Sequence, residues 1–340
     1  MRELLICCVF ALTACDSPTE PTRLEDVAVW PPVPHDPSLL QRVLDARAAY
    51  PPNDHIRFLS DGYSSTGQYL NFWHQKWTES DVMRFDSTGI PQIRYGDTFY
   101  DHPITFGRRG VHLHGRIVLG EPELTDEFLY LVERLLARQD ERGAFTFPFE
   151  YKLYGYKFEP GWPSGMAQGL ALSVLRRAYS LNPDPRYIEA GNRAVEFLLI
   201  PRERGGVLTT MADLDPSLSG YIWIEEFATI PANYKLNGFM FALLGLYDWA
   251  GFGQRMSPTA DRLFREGVRT LKRALPYYDV GGFTATDMRR IIVPGTQPNI
   301  STLYHRVHIY QLHTMAEITG SSLLKQYEML WRSYVGDNGE

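Results

Sequence analysis

The sequence predicts a mainly α-helical protein, an (α/α) toroid or barrel preceded by a small β-containing N-terminal lead-in. From residue 104 onward, apolar residues recur every three or four positions in segments that come in pairs, as amphipathic helices require. Long aromatic loops separate the pairs on alternate connections, which indicates an inner and an outer ring of helices. Because loops of this length in a compact domain are usually functional, we expect them to line a cleft.

Composition places the chain among ordinary globular proteins. It has 340 residues, 44% of them hydrophobic, enough for one large domain or two small ones with a sizeable core. The formal net charge is −6, so nucleic acid is not the expected partner, because phosphate binding needs clustered Lys and Arg. Aromatic residues make up 13% of the chain, a content that suits stacking on a ligand and equally suits a packed core.

The first residues predict export and a lipid anchor. A basic residue, a short apolar run and small residues precede Cys15, and the run is too short to span a membrane. Since Leu12-Thr-Ala-Cys15 resembles a bacterial lipoprotein signal, we expect removal of residues 1–14 and acylation of Cys15. The protein would then be anchored in a bacterial cell envelope, facing the periplasm or the outer surface. Cys7 and Cys8 would leave with the signal, so no thiol would remain for a disulfide or a zinc site.

Two further segments precede the helical part. Residues 15–36 are rich in proline and are predicted to form a semi-rigid tether. Residues 37–103 are predicted to form the lead-in, with one helix over residues 39–50 that ends at a Pro-Pro pair. Irregular alternation with Asp-Gly, Thr-Gly and Tyr-Gly pairs then indicates short strands and turns.

Residues 104–338 are predicted to form the (α/α) barrel domain. One apolar stripe follows Thr125, a suitable N-cap, and its helix ends before Gly143, where left-handed backbone is available. The next helix is expected from Pro163 to residue 181, followed by its partner over residues 187–199. Two more pairs are expected, namely 234–249 with 258–275 and 304–318 with 321–334.

A pair of adjacent carboxylates, Glu225 and Glu226, lies among aromatic residues just before one of these helices. A carboxylate beside aromatic rings can act as a base toward a sugar. It can equally be an anchor that caps the helix, and structural carboxylates are the more common of the two. The residues alone leave both roles open.

Motifs typical of one family occur in family order over residues 85–335. They are Asp86-Ser-Thr-Gly-Ile-Pro, Tyr95-Gly, His102-Pro-Ile, Glu159-Pro-Gly-Trp162, Gly165-Met-Ala-Gln-Gly, Glu225-Glu-Phe, Leu236-Asn-Gly-Phe-Met, Gly245-Leu-Tyr-Asp, Leu275-Pro-Tyr-Tyr-Asp, Asp287-Met-Arg, Pro298-Asn299 and Tyr304-His305. By these motifs the chain resembles the heparan-type D-glucuronyl C5-epimerase family. The resemblance implies an (α/α) barrel and an isomerase that inverts C5 of glucuronic acid residues within a polysaccharide such as heparosan or heparan sulfate. It also implies a homodimer.

The resemblance assigns roles to particular residues. Removal of the C5 hydrogen, which is alpha to a carboxylate, needs a base on one face, a proton donor on the other and a counter-charge for the carboxylate. Glu226 and Tyr304 match the catalytic glutamate and tyrosine of the family. Substrate contacts are expected from Glu159, Trp162, Asn237, Arg289, Asn299 and His305. Arg289 is the natural counter-charge, because a guanidinium can grip a carboxylate bidentately.

Several of these residues also have structural alternatives. Trp162 is either a sugar platform or a staple that seats the next helix, and Tyr304 is either catalytic or a core ring. Arg289 beside Asp287 could equally belong to a solvated salt-bridge cluster. His305 lies three residues before another histidine, but no acidic or cysteine ligand follows at ligand spacing, so we expect no metal there. With no dinucleotide or phosphate-loop motif, we expect no cofactor; the resemblance raises a calcium ion in the β-rich part, with no ligands that can be assigned.

Two positions depart from the family pattern. Phe227 and Thr286 stand where tyrosines are expected, so two phenolic hydroxyls are missing. The sequence therefore leaves three functions open, and it does not identify the polysaccharide. The first is an epimerase, and the second is a lyase that follows the same C5 abstraction with loss of the C4 substituent. The third is a non-catalytic lipoprotein that binds uronate polysaccharide.

Overall fold

The structure is a computed structural model that describes residues 63–70, 72 and 75–334. The predicted signal, the lipidation site Cys15, the tether and the helix over residues 39–50 lie outside the described residues. The predicted domain boundaries stay predictions. Within the described part the protein is mainly helical, as the sequence predicted. None of the helices found there is both long and apolar enough to cross a bilayer.

Three short strands precede the helices, in the region where the sequence predicted strands. They are β1 (Met83–Phe85), β2 (Pro91–Tyr95) and β3 (Thr98–Tyr100), which form one antiparallel sheet in that order. Asp86 shapes the first connection, since its Oδ1 accepts the backbone N–H groups of Thr88 and Ile90 at 2.9 and 3.1 Å. Arg134, on a later helix, bonds Asp86 at 2.9 Å and Asp101 at 2.6 Å. The sheet is therefore fixed to the helical part.

Two layers of helices form the rest of the described chain. The helices are α1 (Pro103–Val118), α2 (Thr125–Leu136), α3 (Gly165–Leu181), α4 (Pro185–Phe197), α5 (Leu236–Ala250), α6 (Ser257–Tyr278), α7 (Arg289–Ile292), α8 (Thr302–Thr319) and α9 (Ser322–Ser333). Helices α1, α3, α5 and α8 pack against one another in that order. Helices α2, α4, α6 and α9 each pack on the helix immediately before them in the chain. The alternation of the two layers agrees with the paired apolar stripes of the sequence.

The remaining strands lie in the connections between helices. They are β4 (Thr146–Phe147), β5 (Tyr151–Leu153), β6 (Tyr156–Phe158), β7 (Trp162–Pro163), β8 (Leu208–Thr210) and β9 (Ile222–Ile224), paired as β4–β7, β5–β6 and β8–β9. The predicted helix start at Pro163 was wrong, because Trp162 and Pro163 pair with β4 and α3 begins only at Gly165. The start predicted at Tyr234 was also wrong, because Tyr234 has a φ of 54° and α5 begins at Leu236.

Helix α5 lies at the centre of the packing and is apolar on nearly every side, which is typical of a buried helix. It approaches α3 backbone to backbone, because a Cβ at Gly169 would collide with the Phe241 carbonyl and one at Gly245 with the Gly169 carbonyl. The two glycines thus permit close contact between α3 and α5. The N-terminal end of α5 is where the predicted site residues gather.

Candidate active site

The glutamate pair follows β9 directly and is held by backbone bonds on both sides. The Glu225 N–H donates to the Val207 carbonyl and the Glu225 carbonyl accepts from Gly165 N–H, both at 2.8 Å. The pair is therefore fixed between the β8 edge and the start of α3. Both side chains are buried, with exposed fractions of 0% for Glu225 and 7% for Glu226.

Glu225 has the environment of an anchor. Its Oε1 accepts the backbone N–H of Tyr234 at 3.3 Å, just before α5. Burial raises the pKa of Glu225 to about 8, against the opposing effect of that hydrogen bond and of the Arg202 charge. The carboxyl group is thus neutral over much of the physiological pH range and secures the chain where it enters α5.

Glu226 has the environment of a base. Its Oε2 accepts from Asn237 Nδ2 at 3.4 Å, and a Cβ at Gly238 would collide with the carboxylate, so glycine is needed there. Burial raises the pKa of Glu226 to about 7, although the Lys235 charge and the Asn237 bond favour the ionised form. A base with a pKa near the ambient pH is ionised often enough to accept a proton and basic enough to hold it.

Tyr304 lies in the first turn of α8, where the Ser301 side chain caps the helix. It is 40% exposed, whereas Glu226 is nearly covered. Burial of the phenol and the negative charge of Glu226 raise the pKa of Tyr304, while Lys235 and Arg108 act to lower it. The two side chains that the resemblance marks as catalytic therefore interact electrostatically in one site.

A cluster of polar groups on four segments borders this pair. The Lys235 ammonium forms an ion pair with Asp287 Oδ2 at 2.7 Å and donates to the Tyr154 hydroxyl at 3.1 Å and to Thr286 Oγ1 at 3.3 Å. Tyr154 donates its own proton to Asp287 Oδ2 at 2.7 Å. Asn299 Nδ2 donates to Tyr154 at 3.1 Å and to Asp287 at 3.3 Å. Although burial of Asp287 acts to raise its pKa, the Lys235 charge and these hydrogen bonds hold it below its usual range.

Arg289, the predicted counter-charge, begins α7 beside this cluster. Its backbone N–H donates to Asp287 Oδ1 at 3.1 Å, and its guanidinium lies 4.2 Å from the centre of the Tyr154 ring. The Asp287 charge is paired with Lys235 and not with Arg289. No acceptor for the Arg289 guanidinium is found among the described residues, so its N–H donors are available to an anionic ligand.

Three predicted contact residues lie outside this arrangement. His305 is 2% exposed, and its ring nitrogens contact Thr284 Oγ1 at 2.9 Å and the Trp331 carbonyl at 3.1 Å. Trp162 is 6% exposed and stacks on Phe147 of β4 at 3.9 Å, so its ring lies in a packed aromatic cluster. The Glu159 side chain is 68% exposed and pairs with Lys157 on the β5–β6 hairpin at 2.7 Å. The structure thus gathers Glu226, Asn237, Arg289, Asn299 and Tyr304; substrate contact by the other three stays a prediction.

Two residues of the cluster were missed from the sequence. Lys235 is the single charged residue in positions 227–247, which sets it apart in an apolar stretch. Tyr154 precedes Gly155 between two short runs of alternating residues, a hairpin signal in which tyrosine is unusual. Neither signal predicts that the side chain binds Asp287. In the described part of the chain, no group of three or more potential metal ligands occurs.

Two helical layers with a buried carboxyl group, a tyrosine and fixed cations at one end define a class of protein: mainly helical domains equipped for acid–base chemistry. Comparison with known proteins gives the family. Residues 139–333 match the family described as D-glucuronyl C5-epimerase C-terminus, and the chain belongs to this family.

Two relatives illustrate how far the similarity extends. The chain is 32% identical over 245 residues to a D-glucuronyl C5-epimerase of Caenorhabditis elegans, a match that covers 68% of this chain and 38% of that protein. It is 28% identical over 217 residues to an uncharacterized protein of Methanocaldococcus jannaschii, a match that covers 60% of this chain and 65% of the archaeal one. The matched region is therefore less than two thirds of either relative.

Proposed function

We propose that the protein is a D-glucuronyl C5-epimerase-like isomerase that inverts C5 of uronic acid residues within a polysaccharide. The observation that carries the proposal is the pairing of buried Glu226, whose pKa lies at about 7, with the half-exposed phenol of Tyr304. Family membership and the similarity to the nematode D-glucuronyl C5-epimerase support the uronate substrate. Further support comes from Arg289, which has donors to offer a carboxylate.

In the proposed reaction, Glu226 takes the C5 hydrogen as a proton. The C5–H bond breaks, an O–H bond forms on Glu226, and the electron pair moves onto the uronate carboxylate, where Arg289 stabilises it. Tyr304 then gives its proton to the opposite face of C5 and becomes a phenolate, which the charges of Lys235 and Arg108 favour. Because Tyr304 is 40% exposed, water can restore its proton, and Glu226 returns its proton to solvent.

We infer that the two helical layers close into the (α/α) toroid and that the polysaccharide lies across the α5 end of it. The alternate packing of inner and outer helices supports this arrangement. Homodimer formation is part of the same proposal and rests on the resemblance alone. The family and the nematode relative both carry the name of an epimerase, so the lyase is not proposed, although the same abstraction would serve it.

One incubation tests the function. The protein is mixed with heparosan-like polysaccharide in deuterated water, and the product is examined by NMR and by chain-length analysis. The proposal expects deuterium at C5 of the uronate and unchanged chain length. An unsaturated uronate with shorter chains would instead establish a lyase, and binding without exchange would establish a non-catalytic protein. A polymer whose carboxylates have been reduced serves as the matched control, because its C5 hydrogen is no longer acidic.

A further inference from the structure

Two residues with strained backbone lie at, or directly before, side chains that bind the same carboxylate. Among the described non-glycine residues, positive φ angles occur at Leu70, Tyr154 and Tyr234, and the last two both have a φ of 54°. Bulky residues rarely adopt this backbone, and such strain persists where the surrounding structure requires it, often at functional sites. Tyr154 is at the tip of the β5–β6 hairpin, and Tyr234 directly precedes Lys235.

Strained Tyr154 and Lys235, the residue that follows strained Tyr234, both bind Asp287. The Tyr154 hydroxyl and the Lys235 ammonium each lie 2.7 Å from Asp287 Oδ2, although 133 and 52 residues separate them from it in the chain. The hairpin is thus attached at its tip to the segment that begins α7. Tyr154 thus places a phenol in the site. The Lys235 ammonium lies 3.3 Å from Oγ1 of Thr286, the residue that stands where the family pattern has a tyrosine.

One tyrosine ring brings two cations together. The Arg289 guanidinium lies 4.2 Å from the Tyr154 ring centre and the Lys235 ammonium 5.5 Å from it, both within the range of cation–π attraction. Asp287 neutralises one of these charges, so the group carries a net positive charge toward Glu226 and Tyr304. Besides Asp287 and Tyr154, the titratable groups of the described chain that feel the Lys235 charge include Glu226, Tyr304, Tyr151 and His308.

We propose that Lys235 and Arg289 form a two-cation clamp for a uronate carboxylate, assembled on Tyr154 as a positioning residue and anchored by Asp287. The identity of the ligand rests on the proposed function. When the C5–H bond breaks, the carboxylate gains negative charge, so a second fixed cation stabilises the transition state more than the ground state. The three N–H donors of Lys235 are taken up by Asp287, Tyr154 and Thr286, so Lys235 contributes its charge while Arg289 supplies the hydrogen bonds to the carboxylate. The Lys235 side chain is only 12% exposed, so water screens this charge little.

The decisive experiment measures recognition of the carboxylate without turnover. The probes are a heparosan hexasaccharide and the same hexasaccharide with its carboxylates reduced, and calorimetry gives the ratio of their dissociation constants. Lys235→Met alone would leave Asp287 buried and unpaired, which destabilises proteins strongly. The test variant is therefore Lys235→Met with Asp287→Asn, which removes both charges while leaving an acceptor for the Tyr154 hydroxyl.

The clamp predicts that wild type prefers the acidic hexasaccharide and that the double variant loses about tenfold or more of this preference. Lys235→Arg should retain most of it. Tyr154→Leu, which removes the ring under Arg289, should weaken the preference, whereas Tyr156→Phe on the same hairpin should not. Lys272→Met is the matched charge control, since Lys272 is a partly buried lysine on α6 with a burial-lowered pKa and no role in the site.

Two results separate this proposal from the proposed function. If wild type exchanges C5 hydrogen but the folded double variant keeps the full preference, the clamp is wrong and the epimerase stands. If the preference depends on Lys235 but wild type shows no exchange, the clamp stands and the epimerase is wrong. A wild type that does not distinguish the two hexasaccharides overturns the clamp in either case.

Discussion

Helix α5 has a buried ion cluster at each end, and the two differ in what they leave for a ligand. At its C-terminal end, Asp248 pairs with Arg177 at 2.6 Å, and both side chains are 0% exposed. The same guanidinium donates to the carbonyls of Ser64, Gly67 and Ser173 at 2.6, 3.1 and 3.1 Å. The donors of Arg177 are thus directed entirely into the protein, and the pair fixes residues 63–67 to α3 and α5.

At the N-terminal end the pair is Lys235 with Asp287, and the surroundings are different. The Lys235 side chain is 12% exposed and not fully enclosed, strained Tyr154 and Tyr234 lie at or beside the cluster, and Arg289 has no acceptor for its guanidinium in the described chain. Burial of an ion pair therefore does not by itself mark function. The end that we propose to be functional is the one where, among the described residues, Arg289 keeps its donors free, Tyr304 is 40% exposed and a buried carboxyl group lies beside them.

The largest effect is expected from Glu226→Gln, which removes the proposed base. The rate of C5 deuterium exchange should fall by about 10²–10⁴-fold, the usual contribution of general base catalysis. The free energy of unfolding should not fall, because a neutral amide is cheaper to bury than a carboxylate. Glu225→Gln is the matched control and should leave exchange nearly unchanged. Equal loss in both variants would show that the pair supports the structure and that neither residue is the base.

At the opposite end of α5, Asp248→Ala should act on stability. Removing one partner leaves the Arg177 charge buried and unpaired, so the free energy of unfolding should fall by about 3–5 kcal/mol, measured in urea. The double variant Arg177→Met, Asp248→Leu should recover most of this loss, because no buried charge remains. If Asp248→Ala kept full stability but lost C5 deuterium exchange, both ends of α5 would serve the reaction, and the contrast between the two ion pairs would be wrong.

The third prediction concerns pH and Glu225. Its pKa is about 8 in the folded state and ordinary in the unfolded chain, so the unfolded state loses this proton first as pH rises. The stabilisation is complete below about pH 4.5 and is lost as pH rises through about 8, with a total on the order of a few kcal/mol. Unfolding of wild type and Glu225→Gln at about pH 5 and about pH 9 measures it. The variant should lose less stability than wild type over this interval; parallel losses would contradict the assignment.

The smallest effect on stability is expected from Glu159→Gln. Its ion pair with Lys157 is exposed on the β5–β6 hairpin, so the free energy of unfolding should change by about 0–1 kcal/mol. The same variant tests the predicted substrate contact, because removal of a contacting carboxylate would change KM for the polysaccharide. An unchanged KM would limit the site to the cluster at the start of α5.

Local patterns predicted the helices well because helix periodicity is a property of neighbouring residues. The apolar stripes predicted α2, α4, α6, α8 and α9, and most of the predicted helix ends lie within a few residues of the observed ones. The errors at the starts of α3 and α5 have tertiary causes. Trp162 and Pro163 join a strand pair with residues 146 and 147, and Tyr234 takes left-handed backbone to place Lys235 against Asp287.

The sequence by itself determined the family, the order of the helices and the adjacent carboxylates, and it predicted the arginine that we propose to face a uronate, since these depend on residue type and spacing. The tertiary structure decided which residues join in one site. It buried Glu225 against the Tyr234 backbone and His305 in the interior, and it brought Tyr154 and Lys235 together on Asp287. Spacing along the chain carries no information about contacts over 52 or 133 residues, because such contacts exist only once the helices have packed.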